Sequence, residues 1–432
     1  MNVYFQSQET MPKADLKELQ LKRLKGVVKR CYENVPHYRK RMQELKVEPE
    51  DIRTLDDIRK LPTTTKAEMR EQMPWGLMAC SLDNVVEMHA SSGTTGVPIT
   101  VGYTRSDLKA WSEVMARCLY MSGLRKEDIF QNPIPYGTFT GAFGFHYGAE
   151  KVGAMVVPSG MGQSERQIRL MEYYKTTMFS GVVSYGLRLG QVAESMGIDP
   201  AKDLHVKSGV FGSETFTPGL KKRLAETWDM EVFDIYGLTE MCGPGVSNDC
   251  SYHDGLHLWE DHFLVECLDP ETGEPVDIEE EGELVITTLT KEGMPILRYK
   301  THDISFLYDQ DVCDCGRTHV KHAPIKARSD DMIILSGTNI FPGQIEEVVM
   351  RHPMVGTNYQ IVLENESGRD TLTVLVEAAK VLNEAEAQDM IAKLGKDLKM
   401  TLLFTPRVKV LAPGDIKSER IKAQRVVDKR PR

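Results

Sequence analysis

Cysteine is scarce: the chain of 432 residues holds 8, too few for a disulfide-built scaffold, which points to a reducing compartment. Long apolar runs are missing. The best, such as Ile333 to Leu335, fall far short of the roughly 18 residues a membrane span needs. No basic stretch followed by an apolar one opens the chain, so the expectation is a cytoplasmic protein without a membrane partner. Positive charge is in deficit, with 53 Lys+Arg against 63 Asp+Glu and a formal charge of −10. That excludes the broad basic face a nucleic-acid partner requires. Hydrophobic residues at 41 % are ample for a core, and the length predicts two or three packed units.

What is present alternates. Asp128–Pro133, Gly153–Pro158, Phe179–Val183, Lys207–Phe211 and Glu231–Tyr236 read as short buried strands. Between them, 106–121, 165–176, 187–196 and 220–227 carry helical periodicity. This rhythm predicts an α/β fold, an open sheet with helices on its faces and ligands at the carboxyl ends of the strands. A β-rich stretch follows (263–267, 282–288, 304–307), and beyond about residue 330 a compact α+β unit of some 100 residues is expected. The predicted division is 1–329 and 330–432.

Ser91-Ser92-Gly93-Thr94-Thr95-Gly96 follows an apparent strand. Its two glycines let backbone N–H groups converge on a phosphate, and its hydroxyls add neutral donors. It is no Walker loop, because no Lys precedes a Ser or Thr and a strand follows. Four further segments occur in order: Asp234-Ile-Tyr-Gly-Leu-Thr-Glu240, Glu281-Gly-Glu-Leu-Val-Ile-Thr-Thr-Leu289, Arg298-Tyr-Lys-Thr-His-Asp303, and Ala327-Arg-Ser-Asp-Asp-Met-Ile-Ile-Leu-Ser-Gly-Thr-Asn-Ile-Phe-Pro-Gly-Gln-Ile-Glu-Glu347. Together these resemble the acyl-adenylate-forming superfamily. Tyr32-Glu-Asn-Val-Pro-His-Tyr38, His146-Tyr-Gly-Ala-Glu-Lys151, Gly255-Leu-His-Leu-Trp-Glu-Asp-His-Phe263, Cys313-Asp-Cys-Gly-Arg-Thr-His319 and the tail 422–430 bring the resemblance, nearly end to end, to its phenylacetate–CoA ligases. Two positions depart from the pattern: Val97 stands where the loop usually carries Lys, and Ile421 where Gly usually precedes the terminal Lys.

The resemblance implies ligation of an aryl acetic acid, phenylacetate or a close analogue, to coenzyme A. It runs through an acyl-adenylate, with ATP and Mg²⁺ consumed and bound and with AMP and pyrophosphate released. It further implies an adenylate-forming N-terminal domain, a mobile C-terminal lid, and a homodimer acting in phenylacetate breakdown. Ser91 to Gly96 would hold the β and γ phosphates. Thr239 would bond the α-phosphate and Glu240 would bind Mg²⁺, a hard cation suited to carboxylate oxygen. Gly212, Ser213, Glu214 and Tyr236, with Asp234 and Gly237 of the same motif, belong to the adenine side. Asp303 would accept both ribose hydroxyls, and Arg328 would support ribose and phosphate. Lys422 is the candidate catalytic lysine, with Lys417 its competitor. Asp330 is the expected hinge, and Tyr136, Phe139 and Gly141 the expected acid pocket.

Cys250, His257, Cys313 and Cys315 carry zinc-type donors and are expected to form a closed structural site, with His253 or His319 as alternative fourth ligands. Two other functions stay open on sequence alone: an adenylation enzyme that loads a carrier protein, and an inactive nucleotide-binding regulator.

Overall fold

The computed structural model of the protein describes residues 3–91, 98–214, 216–331, 333–335, 338–366, 369–402, 405–416 and 425–430. The chain forms two compact units. The first comprises 1–181, 202–213 and 231–324, and the second 182–201, 214–230 and 325–432. Two helical insertions of the α/β region thus group with the C-terminal segment.

The first unit is organised by an eight-stranded sheet. Its order is Lys321–His322, Leu256–Leu258, Gly243–Asp249, Glu231–Leu238, Ser208–Gly212, Met178–Gly181, Ile129–Gln131, Met155–Val157. The last five are parallel to one another and the first three add antiparallel. The inner parallel strands are buried throughout, Met178–Gly181 and Ser208–Gly212 alike, as expected of strands covered on both faces.

Helix Arg105–Met121 starts at Thr104, whose hydroxyl accepts the Asp107 N–H while Asp107 accepts the Thr104 N–H, at 3.1 and 2.9 Å. Such a reciprocal cap is worth about 1 kcal/mol. Asp107 also takes the N–H groups of Glu292 and Gly293 at 2.6 and 2.9 Å, fastening the helix to the 289–297 turn. A second, antiparallel sheet of Phe263–Leu268, Gly282–Thr288 and Tyr299–Ser305 carries a register shift between Glu283 and Val285. The hairpin Glu87–Ala90 with Thr100–Tyr103 flanks the glycine-rich segment.

In the second unit, strands Arg407–Leu411, Arg369–Ala378, Val355–Glu366 and Val426–Asp428 form a mixed sheet. Helices Pro342–Arg351 and Glu384–Leu402 bury Ile345, Val349, Met390, Leu394 and Leu398, residues at the three-to-four spacing of an amphipathic face. Helices Val183–Ser195 and Pro218–Trp228 join through the Trp228 indole N–H on the Gly186 carbonyl at 3.1 Å. Among the described residues, no helix is long and apolar enough to cross a membrane.

Candidate active site and candidate metal centre

The strand Glu231–Leu238 runs into the turn Thr239–Cys242 and returns antiparallel as Gly243–Asp249. At its tip the two strands lie too close for a side chain. A Cβ on Gly237 would sit 2.1 Å from the Gly243 carbonyl oxygen, so only glycine fits. This narrow hairpin presents Tyr236 on one side and Thr239 and Glu240 at its end. Both of the last two are buried.

Strand Tyr299–Ser305 clasps the hairpin at two points. The Tyr236 hydroxyl donates to Asp303 Oδ2 at 2.7 Å, and the Tyr299 hydroxyl donates to Glu240 Oε1 at 3.1 Å. The backbone here is strained: Arg298, His302 and Ser213 all adopt positive φ, at 44°, 64° and 66°, and such non-glycine residues concentrate at functional sites. Arg298 is fixed by a two-pronged bond to Glu266, at 2.9 Å for each contact.

Two lysines that motif reading does not single out face this turn. Lys66 Nζ lies 3.8 Å from Glu240 Oε1. Lys291, buried, donates to the carbonyls of Glu240 and Met241 at 3.1 and 2.7 Å. Burial pushes its pKa down to about 8, with Asp107 opposing the shift. Sequence alone does not mark Lys291, which stands between Thr290 and Glu292 and outside every motif.

Ser91 closes the neck of the glycine-rich segment, its hydroxyl accepting the Ile99 N–H and its own N–H donating to the Ile99 carbonyl, both at 2.9 Å. Ser92, Gly93, Thr94, Thr95 and Gly96 lie outside the described residues, as do Lys422, Lys417 and the side chain of Asp330. The neck meets the expected acid pocket: the Ala90 N–H donates to the Thr138 carbonyl at 2.7 Å. Tyr136 is held by Asn132 Nδ2 at 2.9 Å and lies 3.0 Å from His146 Nδ1, with Phe143 edge-on to its ring. Beside Gly141 the space belongs to Phe139, whose ring a Cβ would meet at 2.5 Å. Below the neck, Glu87 joins His89 and Tyr147 at 2.6 Å each. Burial works against its charge, but those two bonds keep its pKa low.

Gly212 ends strand Ser208–Gly212 in register with Ile235, one residue from Tyr236 and beyond Asp234 of the same strand. In the second unit, Glu214 accepts the N–H and hydroxyl of Ser184 at 3.1 and 2.9 Å, at the start of helix Val183–Ser195. Arg328 Nε lies 3.8 Å from Asp331.

Away from the hairpin tip, Cys250, His257, Cys313 and Cys315 come together, all buried, with their donor atoms within 4.8 Å of one another. Cys250 follows strand Gly243–Asp249, His257 sits in Leu256–Leu258, and the loop Cys313–Arg317 turns at Gly316, φ 87°. Cys315 Sγ and His257 Nε2 are 3.3 Å apart, against about 3.6 Å for a sulfur and a nitrogen sharing a tetrahedral zinc. The His257 Nδ1 side meets the His319 carbonyl at 3.2 Å. An Nδ1–H donor there leaves the Nε2 lone pair toward the thiols. Hydrogen bonding within the cluster, from Cys250 first and then Cys313, pushes the Cys315 thiol strongly down, while bonds from Cys313 and then Cys315 push Cys250 up. Burial lowers His257, but bonds to Cys313 and Cys315 outweigh it and raise its pKa. Both alternative histidines are committed elsewhere. His319 uses one ring nitrogen for the Gln8 carbonyl and the other for the Glu260 N–H, and His253 lies 2.7 Å from Asp249.

Residues 18–290 match the AMP-binding enzyme family and residues 337–430 the AMP-binding enzyme C-terminal domain. The chain is 42 % identical to the phenylacetate-coenzyme A ligase of Aromatoleum evansii over 97 % of its own length and 95 % of the relative's. It is 40 % identical to the phenylacetate-coenzyme A ligase of Thermus thermophilus over 98 % of each. Among solved structures, 2-hydroxyisobutyryl-CoA ligase in the postadenylation state, in complex with R3-HIB-AMP, superposes with a TM-score of 0.92 at 26 % identity, covering 99 % of this chain and 92 % of that one. The chain belongs to the AMP-binding enzyme family, in its phenylacetate–coenzyme A ligase group.

Proposed function

We propose that the protein joins phenylacetate, or a closely similar aryl acetic acid, to coenzyme A at the cost of ATP. The observation that carries this reading is the double clasp of strand Tyr299–Ser305, which sets Asp303 beside Tyr236 and Tyr299 beside Glu240. The names of the relatives supply the acid.

The chemical difficulty is the attack of one anion on another. The acid's carboxylate oxygen attacks the α-phosphorus, pyrophosphate leaves, and negative charge builds on the α-phosphate oxygens. Donors fixed in advance stabilise that charge without reorganising. In this reading the Thr239 hydroxyl donates to an α-phosphate oxygen. Asp303, already holding one donor in Tyr236, accepts the ribose hydroxyls. Tyr236 with Asp234, Gly237, Gly212, Ser213 and Glu214 forms the adenine side, and Arg328 supports ribose and phosphate. The segment Ser91–Gly96 takes the outgoing phosphates. Lys422 neutralises the α-phosphate, and Tyr136, Phe139 and Gly141 frame the acid.

The buried Glu240 carboxylate, oriented by Tyr299, suits Mg²⁺ as an oxygen ligand. The ion when bound offsets phosphate charge. In the second step the coenzyme A thiol attacks the acyl carbon and AMP leaves. We assign residues 330–432 as the lid, turning about Asp330, so that one cleft serves both reactions.

Cys250, His257, Cys313 and Cys315 are proposed to hold a structural Zn²⁺. Three thiols and one imidazole within one small volume suit it, and the ion would tie the antiparallel strands of the sheet to the Cys313–Arg317 loop. Phenylacetate-dependent exchange of labelled pyrophosphate into ATP tests the adenylation step. Exchange is expected with phenylacetate and absent without an acid. Its absence with every aryl acetic acid tried would refute the reading.

A further inference from the structure

We infer that the N-terminal segment Tyr4–Met11 is an outer arm of the metal centre, so that metal binding and docking of this segment are one coupled event. This rests on the zinc reading above and extends it to residues that touch no donor atom's ion.

The link is Arg317. Its Nε and Nη2 both donate to Glu9 Oε2, at 2.8 and 2.7 Å, while its Nη1 reaches Cys315 Sγ at 3.5 Å. Neither charged side chain sees solvent: Arg317 is 1 % exposed and Glu9 0 %. One buried guanidinium therefore serves a cluster sulfur and the Glu9 carboxylate together, and a buried cation is held in place by acceptors of this kind.

Glu9 passes the link onward. Its other oxygen accepts the backbone N–H groups of Tyr4 and Phe5 at 2.8 and 2.7 Å, closing the turn into helix Gln6–Glu9. The next two residues of the metal loop hold the following stretch. Thr318 donates its hydroxyl to the Met11 carbonyl at 2.6 Å and its N–H to the Glu9 carbonyl at 3.3 Å, and His319 Nε2 bonds the Gln8 carbonyl at 3.0 Å. The His319 carbonyl in turn meets His257 Nδ1. Arg317 and His319 thus touch the cluster on one side and the segment on the other, and Thr318 between them adds two bonds to the segment. The docked segment then reaches outward, with the Tyr4 hydroxyl on the Lys151 carbonyl at 2.7 Å.

Charge explains the coupling. Three thiolates around a dication leave one net negative charge, which Arg317 faces at Cys315 and Lys321 faces at Cys313, 3.8 Å from its Sγ. Without the ion, the loop that presents Arg317, Thr318 and His319 to the segment loses its ligand constraint. By linkage, docking of the segment must tighten ion binding by the same factor that the ion tightens docking.

The test uses the full-length protein. Metal content is measured by plasma mass spectrometry, zinc affinity by competition with a chromophoric chelator, and docking by hydrogen exchange of peptides spanning 4–11, with 282–288 as an internal reference. Bound zinc is expected in the wild type. Chelation is expected to speed exchange in 4–11 about tenfold or more while 282–288 holds, and Glu9→Gln and Arg317→Met to weaken zinc about 10- to 100-fold, the usual effect of losing an outer partner. The wild-type chelation arm requires no variant to fold. Zinc held with unchanged affinity in both variants, or exchange in 4–11 indifferent to chelation, overturns the coupling while leaving the metal site standing. A wild type that binds no zinc overturns both.

Discussion

The Tyr236 hydroxyl and Asp303 Oδ2 stand 2.7 Å apart, and this contact ties the end of a central-sheet strand to the antiparallel sheet. Because the acceptor is a carboxylate, the bond is of the charge-assisted kind, worth about 1.5–3 kcal/mol.

Tyr236→Phe removes that donor and frees Asp303 to turn from the position where ribose is expected. The KM for ATP should rise about tenfold, from the lower end of that range, with the KM for the acid little changed. Steady-state kinetics with each substrate varied in turn check this. Equal changes in both constants would mean that the contact only supports the fold.

Lys291 holds the carbonyls of Glu240 and Met241 and touches no reacting group, so it is a positioning residue. Lys291→Met should slow adenylation about 10- to 100-fold by loosening the turn, since small misplacements of catalytic groups cost this much. It should also raise the Mg²⁺ concentration needed for half-maximal rate. Lys291→Arg, keeping charge and donors, should recover part of the rate in the same magnesium titration.

His322 is fully buried between Ser247, 2.6 Å from Nε2, and its neighbour's Ala323 carbonyl, 2.6 Å from Nδ1, with its ring edge-on to Tyr236. Burial pushes its pKa down to about 4, below the roughly 6.5 of an unfolded histidine. The unfolded chain therefore binds the extra proton between those values, and stability falls as pH drops through that window. Between pH 7 and 5 the loss from this group is about 2 kcal/mol. His322→Asn should flatten that part of the profile, read as denaturation midpoints across pH. A slope unchanged by the substitution would assign it to other groups.

The choice between Lys422 and Lys417 is kinetic. Lys422→Ala should depress adenylation about 10²–10³-fold, the usual effect of removing one charge-stabilising group, while thioester formation from supplied phenylacetyl-adenylate stays near normal. Lys417→Ala should leave both steps near normal. The opposite pattern would assign the role to Lys417.

The α/β core was legible because its strands are short apolar runs between helices of clear periodicity, and Ser208–Gly212, Glu231–Leu238 and Gly282–Thr288 fall within two residues of their expected positions. The antiparallel extension was not. Gly243–Asp249 reads Gly-Pro-Gly-Val-Ser-Asn-Asp, loop chemistry by composition, and is a strand because its polar side chains find buried partners such as His322 for Ser247 and Ser122 for Asn248. Strand Tyr299–Ser305 likewise lies ahead of the apolar run 304–307 that suggested it. In the site, motif order picked out Tyr236, Glu240 and Asp303. Tyr299, Lys66, Lys291 and Arg317 escaped because their roles come from partners 50 to 308 residues away in sequence, which no local pattern encodes.

In the proposed reaction one cleft makes an acyl-adenylate and passes it to coenzyme A. The most direct measurement incubates the protein with ATP, Mg²⁺, phenylacetate and coenzyme A, and follows AMP, pyrophosphate and thioester by chromatography. Equimolar AMP, pyrophosphate and phenylacetyl-CoA are predicted. AMP without thioester, or neither product with any aryl acetic acid, would refute the proposed reaction.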